Sequence, residues 1–459
     1  MSSAHRILVG SLQVLLILPL LWQIGRSLID PRELFSPKTV VAGGFVGLYI
    51  GTYYVVDGHD RDAFLTTGGY LRLLFVAVLA CYAFWAGFIL GAGAATPRRE
   101  PLHEPTASWY ATALIGIGFV AQAAFVQKSS GFLAFYGALH GTAGAWADTS
   151  AYLYAASRFM FPAMCLLWAM LVRDGVTGVL PRIAFLAALL YIAFEAFVFG
   201  NRGDTIRLFL LLLLPPLFLA GRLRLRRGAV LLATSVALSA VLVFPHVRDA
   251  LYLGAGKSLI QAVTETFADE AVSLDHSKVT GRELFYAAAV VEAASDQRTH
   301  DYGMRWSYPF INLVPRAWWP DKPYRSEWSI SSRHLVQQHA GWIVANGAAT
   351  TGIADAFLGF SWFSIAVWLA FGWWGGVVWA RATETDSVID VAYLWAFLVI
   401  AVYFVTQGYH AAWHAWLFCM LPIWFLSLLM PTTAARSEAP RVTSAARAET
   451  APKLPAGAP

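Results

Sequence analysis

The sequence predicts an all-α polytopic membrane protein with about eleven (10–12) transmembrane helices and one large extracytoplasmic loop containing short helices. Three observations predict it. The chain is 58% hydrophobic and only 13% charged, whereas soluble domains carry roughly 25% charged residues. Mean hydropathy is correspondingly high, at +0.56. Apolar runs of about 18 residues or more, long enough to cross a bilayer, recur along the chain and are interrupted by one long polar interval, 248–350.

Candidate spans fall at about 7–24, 39–56, 70–93, 107–127, 151–172, 177–199, 204–220, 229–247, 351–380, 388–407 and 411–430. No small-residue cleavage site follows the first run, so it is expected to be a retained span and not a signal peptide. Pro215-Pro216 should kink or break the seventh span. Cys81, Cys165 and Cys419 lie inside apolar runs and suit small core residues, not disulfides or metal ligands. The chain divides into N-terminal membrane helices (1–247), the large loop (248–350), C-terminal membrane helices (351–430) and a tail (431–459). The tail is rich in Ala, Pro, Ser and Arg, a composition that suits a disordered cytoplasmic segment.

Orientation follows from Lys and Arg in the short loops. Arg222, Arg224, Arg226 and Arg227 between spans seven and eight mark a cytoplasmic loop. Counting outward, Arg26, Arg32 and Lys38, then Arg98 and Arg99, then Arg173 and Arg182 fall on the same side. The loops on the opposite side are poorer in basic residues, and 248–350 belongs with them, outside. Within it, Lys257 to Ala271 and Arg282 to Ala294 have mixed apolar and polar faces and predict short amphipathic helices.

The most informative stretch is Ile311 to His339, INLVPRAWWPDKPYRSEWSISSRHLVQQH. Pro315, Pro320 and Pro323 force turning or extended backbone. Arg316, Lys322, Arg325 and Arg333 supply cations, and a diphosphate needs about two or three. Trp318, Trp319, Tyr324 and Trp328 supply rings that stack on pyranose faces, although a basic loop with aromatic interfacial anchors has the same composition. His334 and His339 are candidates for acid/base work, because histidine titrates near neutral pH.

Further candidates lie elsewhere. Arg202 and Arg207 flank Asp204 at the outer end of span seven, with Gly200 and Gly203 bracketing Arg202. Ionisable groups at the mouth of a bundle are functional candidates, although a salt bridge to Asp204 would also place them there. Asp355, at the start of span nine, either accepts a proton from a sugar hydroxyl or neutralises an arginine. His410 and His414 share one helical face and suit a hydrogen-bonding pair lining a cavity. A zinc site would need a third ligand. The acidic run Asp57 to Asp62 suits a solvated loop, and no metal-ligand spacing or nucleotide-binding motif occurs, so neither metal nor cofactor is expected.

Three segments together resemble the O-antigen polymerase family of bacterial inner membranes. They are the GNRG run before a very apolar helix, LVPRAWWPDKP (with VPRxxWPDKP over Val314 to Pro323), and IADAFLGFSWFS. The resemblance covers roughly 185–380. It implies a glycosyltransferase that polymerises undecaprenyl-diphosphate-linked oligosaccharide repeat units into O-antigen or exopolysaccharide on the outer face. Partners would be the lipid-linked oligosaccharide, the bilayer, and a flippase and chain-length regulator of the same pathway, with no nucleic acid. The resemblance also implies that Arg202 and Arg316 help bind the diphosphate, with Lys322 or Arg325 assisting. Stabilising the leaving diphosphate is the main electrostatic task, which arginines can perform without a metal. Asp355 and His339 are the leading candidates for the base. An O-antigen ligase shares the architecture and donor. A metal-dependent glycosyltransferase would need the Asp57–Asp62 loop. A flippase or transporter would show paired repeats and broken helices near mid-bilayer, and no repeat occurs.

Overall fold

In the computed structural model, the described residues are 3–56, 58–96, 104–128, 149–175, 178–199, 202–219, 281–314, 318–323, 328–342 and 349–429, with the isolated positions 232, 235 and 344. All regular structure among them is helical. The N-terminal half comprises α1 (Ser3–Ile29), α2 (Pro37–Phe45), α3 (Thr52–Val55), α4 (Gly58–Phe64), α5 (Thr67–Ala94), α6 (Glu104–Lys128), α7 (Thr149–Ser157), α8 (Met160–Arg173), α9 (Val179–Phe199) and α10 (Arg202–Phe218). The C-terminal half comprises α11 (Gly281–Asp296), α12 (Met304–Asn312), α13 (Ser332–Ala340), α14 (Gly352–Phe360), α15 (Ser364–Glu384), α16 (Val388–Gln407), α17 (Tyr409–Ala415) and α18 (Leu421–Leu429).

Eight helical stretches are long and apolar enough to cross a membrane: Ser3–Ile29, Thr67–Ala94, Pro105–Lys128, Tyr152–Arg173, Val179–Ala196, Gly352–Glu384, Val388–Gln407 and Tyr409–Leu429. They coincide with eight of the sequence-derived spans. Of the other three, 39–56 folds as α2, a π-helical turn Val46–Gly51 and α3. The stretch 204–220 folds as the 17-residue α10. The third, 229–247, lies outside the described residues except at 232 and 235. The helical backbone of α10 runs through both Pro215 and Pro216, against the expectation of a break there. Both prolines lie in its last turn, and the N–H of Leu219 still bonds to the Pro215 carbonyl at 2.9 Å.

The tightest packing joins α5 to α15, and glycine makes it possible. Gly87 and Gly91 lie four apart on α5, and Gly372 and Gly376 lie four apart on α15. A Cβ on Gly87 or Gly91 would stand 1.9 Å from the carbonyl oxygen of Leu369 or Trp373, respectively. A Cβ on Gly372 or Gly376 would stand 2.0 or 2.1 Å from the Phe84 or Phe88 carbonyl. The two backbones therefore touch reciprocally along a pair of small-xxx-small stripes, the arrangement that lets membrane helices associate where apolar burial gives no drive. Around this pair, Trp368 and Trp395 are fully buried, and Trp368 stacks on Phe404 at 4.6 Å.

Helices α11, α12 and α13 form a cap at one end of the bundle. The expected helix from Arg282 to Ala294 is α11. It buries Leu284, Tyr286, Ala287, Val290, Val291 and Ala294. A hydrogen bond of 2.7 Å between Tyr286 and Ser332 ties α11 to α13. The ring of Trp306 on α12 stacks flat on Tyr409 at 3.9 Å. The other helix expected in this interval, Lys257 to Ala271, lies outside the described residues.

Candidate functional site

The cap is fastened to the membrane helices by one guanidinium. Arg305, on α12, donates from Nε to Asp301 at 2.7 Å and from Nη1 to Asp355 at 2.7 Å. Its Nη2 donates to the Ile330 carbonyl at 2.7 Å. The second oxygen of Asp355 accepts the backbone N–H of Tyr409 at 2.9 Å. That approach needs Gly408 (φ +86°), where a Cβ would meet the Asp355 side chain at 3.2 Å. All three charged groups are buried. Desolvation raises the Asp301 carboxyl above its ordinary value, and Arg305 opposes the rise. Arg305 therefore joins α12 to Ile330 before α13 and, through Asp355 of α14, to the start of α17.

Next to this hub lies the Ile311–His339 stretch. Trp328 donates from its indole to the Met304 carbonyl at 3.0 Å and to the Ser307 hydroxyl at 2.9 Å. Trp319 is partly exposed, and Trp318 is 83% exposed, a ring presented to its surroundings and not packed into the cap. Lys322 is buried, and its ammonium donates to the Val314 carbonyl at 2.9 Å. Arg316, Tyr324 and Arg325 lie outside the described residues. The two histidines of α13 diverge. His334 is exposed and contacts Gln338 at 2.8 Å, whereas half-buried His339 has its Nε2 3.7 Å from Asp296 on α11.

A second ion cluster lies inside the bundle. Arg207 donates to Asp204 at 2.8 Å. Asp204 also pairs with Arg158 at 3.1 Å, and Arg158 pairs with Glu195 at 2.8 Å. Tyr154 accepts a further hydrogen bond from Arg158. The Arg207 guanidinium lies 4.8 Å from the centre of the Tyr403 ring, and the Trp395 indole donates to the Arg207 carbonyl at 3.1 Å. Among the described residues, two cations face two carboxylates here, as burial in a membrane favours. Arg202 opens α10, and its side chain lies outside the described residues. Tyr403 lies in the last turns of α16, and Tyr409 opens α17 just after Gly408, so residues of the two clusters are close in sequence at this helix junction.

His410 and His414 face each other as i, i+4 spacing requires, with Nε2 atoms 3.3 Å apart. The neighbouring apolar cleft, of about 340 Å³, is lined by Trp306, Phe404, Tyr409 and Trp413 and not by these histidines. Asp62 lies in a separate cleft with Glu292 and His339.

Sequence reasoning missed Arg305, Asp301, Arg158 and Glu195. The signal for the last two was present, since each interrupts an apolar run with a charge. For Asp301 and Arg305 it was the i, i+4 spacing of opposite charges. The chain matches no family model, no curated protein and no solved structure.

Proposed function

We propose that the protein is a membrane glycosyltransferase that polymerises oligosaccharide repeat units carried on undecaprenyl diphosphate. The observation that carries this reading is Trp318, 83% exposed within the VPRAWWPDKP sequence, on a cap that Arg305 fastens to the membrane bundle at Asp355. An exposed indole is a stacking platform for a sugar face. Adjacent basic residues suit a diphosphate at the membrane surface. In this reading the cap lies outside a bacterial inner membrane. Residues 37–55, α10 and the apolar run 229–247 bring the eight spans to eleven.

The division of labour follows the chemistry. Arg202, Arg316 and Arg325 stabilise the diphosphate as it leaves, and the tryptophans and Tyr324 hold the sugars; Arg207, paired with Asp204, and Lys322, bonded to the Val314 carbonyl, support the site from within the fold. Asp355 takes the proton of the acceptor hydroxyl. Arg305 also holds Asp301, so it keeps an anionic partner after Asp355 is protonated.

Deletion of the gene in its source organism tests the proposal. A surface glycan that collapses to a single capped repeat unit is the expected result. Loss of all attached glycan would identify a ligase, and unchanged long-chain glycan would refute both. Arg202→Ala and Arg316→Ala should each abolish chain extension while membrane levels stay normal. Long chains from both variants would overturn the residue roles.

A further inference from the structure

We propose that Glu292, Asp296 and His339 form a binding site for a first-row divalent cation such as Zn²⁺, which staples α11 to α13 beside the start of α5. The proposal stands apart from glycosyl transfer, because it concerns ligand geometry alone. Glu292 and Asp296 are four apart on α11 and so share a face. Helix α13 brings His339 against that face, and one ligand atom from each residue lies within 4.8 Å of the other two.

The His339–Asp296 spacing is longer than a hydrogen bond and close to that of two ligands on one ion. His339 Nε2 and Asp296 Oδ2 are 3.7 Å apart. An N–H···O bond spans about 2.7–3.2 Å. Two ligands, each about 2.1 Å from a tetrahedral ion, stand roughly 3.4 Å apart. A small inward movement of the three side chains would therefore reach coordination distance.

Both carboxylates are already oriented from behind. Glu292 Oε2 accepts from the Thr66 hydroxyl at 2.6 Å, and its Oε1 takes no hydrogen bond among the described residues. Asp296 Oδ1 pairs with Arg72, while Oδ2 is the atom that faces His339. Each side chain thus has one oxygen held by α5 or its N-cap and one turned to the shared space. Partners of this outer kind fix metal ligands and tune their affinity. Glu292 and His339 also line a cleft of about 340 Å³ with Asp62 on its wall. That leaves room for water, or for Asp62, to complete the coordination. An imidazole beside two carboxylates selects zinc-like ions over magnesium or calcium.

The ion would join α11 to α13 within the cap. It would also occupy the His339 nitrogen, leaving the proton of the proposed reaction to Asp355.

The test uses the full-length protein in detergent, stripped with a chelator and titrated with Zn²⁺ against a fluorescent competitor. One equivalent should bind, and it should raise the melting temperature. Glu292→Gln and His339→Ala should each weaken binding at least about tenfold, the lower end of the loss from removing even an outer-shell partner. His334→Ala, on the same helix, should bind as the parent does. His339→Gln and the gel-filtration profile guard against a variant that fails to fold. Two results would overturn the proposal: no saturable Zn²⁺ binding by the parent, or equal binding by the parent and both ligand variants. In the second case, loss of binding in His410→Ala would place the ion at the other histidine pair.

Discussion

Alanine at Gly91 provides a severe test of the α5–α15 contact, because two opposing effects must be weighed. Replacing glycine by alanine inside a helix gains about 1 kcal/mol of helix propensity. At Gly91 the new methyl would stand 1.9 Å from the Trp373 carbonyl oxygen and 2.9 Å from the Trp373 Cα. Carbon and carbonyl oxygen meet at about 3.3 Å, so the helices must part by roughly 1.4 Å at that point. The obstacle is backbone, so no rotamer change relieves it. Overpacking costs about 1–3 kcal/mol where side chains can adjust, and this site belongs at or above the upper end. The net effect is a loss of about 2 kcal/mol or more. Gly93, two residues along the same helix, has nothing within 4 Å of its virtual Cβ. Gly93→Ala should therefore be neutral or stabilising by up to about 1 kcal/mol. The assay is thermal unfolding of both variants in the same detergent, at one scan rate, followed by tryptophan fluorescence. A Gly91→Ala protein as stable as Gly93→Ala would refute the close backbone contact.

Other consequences can be measured in the same way. Arg305→Met removes the shared partner of two buried carboxylates and should cost about 3–5 kcal/mol, seen as faster proteolysis of the cap and a lower melting temperature. Because burial raises the Asp301 carboxyl, its contribution to stability is fully present below the unfolded value of 3.8 and declines as pH rises through the folded value. Asp301→Asn should therefore flatten the acid limb of a plot of melting temperature against pH. Glu195→Gln leaves Arg158 with Asp204 as its remaining carboxylate partner among the described residues, and should destabilise the bundle by about 1–3 kcal/mol. Arg158→Ala, which strips the cation from two carboxylates, should cost more, about 3–5 kcal/mol. Equal denaturation midpoints for these two variants would contradict the network.

How much of this could be read from the chain depends on the kind of force involved. Burial in lipid writes itself into long apolar runs, so eight spans were legible at nearly their observed positions. Helix α11 was legible as a run of mixed apolar and polar residues, although burial reaches all round it, with Leu284 to Val291 buried without a break. Contacts between distant segments leave no such trace. Nothing near Asp355 in the sequence announces that Arg305, fifty residues earlier, will bind it. The Arg207–Asp204 pair was legible because it is local. Its extension to Arg158 and Glu195 depends on how α7, α9 and α10 pack. The glycine stripes of α5 and α15 were visible as spacing, but only their juxtaposition shows that each needs the other.

The two ion clusters differ in one respect that bears on the proposed glycosyl transfer. The cluster of Arg158, Glu195, Asp204 and Arg207 counts two cations against two anions, so any proton taken up there would unbalance a buried site. Among the described ion pairs, the cap hub sets one cation, Arg305, against Asp301 and Asp355. One proton on either carboxylate would leave Arg305 with an ionic partner in the other. Proton uptake at Asp355 also leaves the Tyr409 N–H with a carboxyl oxygen to bond. The hub can therefore change protonation without breaking the joint between cap and bundle, whereas the inner cluster cannot do so without leaving a buried cation in excess. Asp355→Asn tests this distinction. It mimics the protonated hub, so it should retain the fold and cap while abolishing chain extension. Asp204→Asn, which leaves two arginines against one carboxylate, should lose stability first.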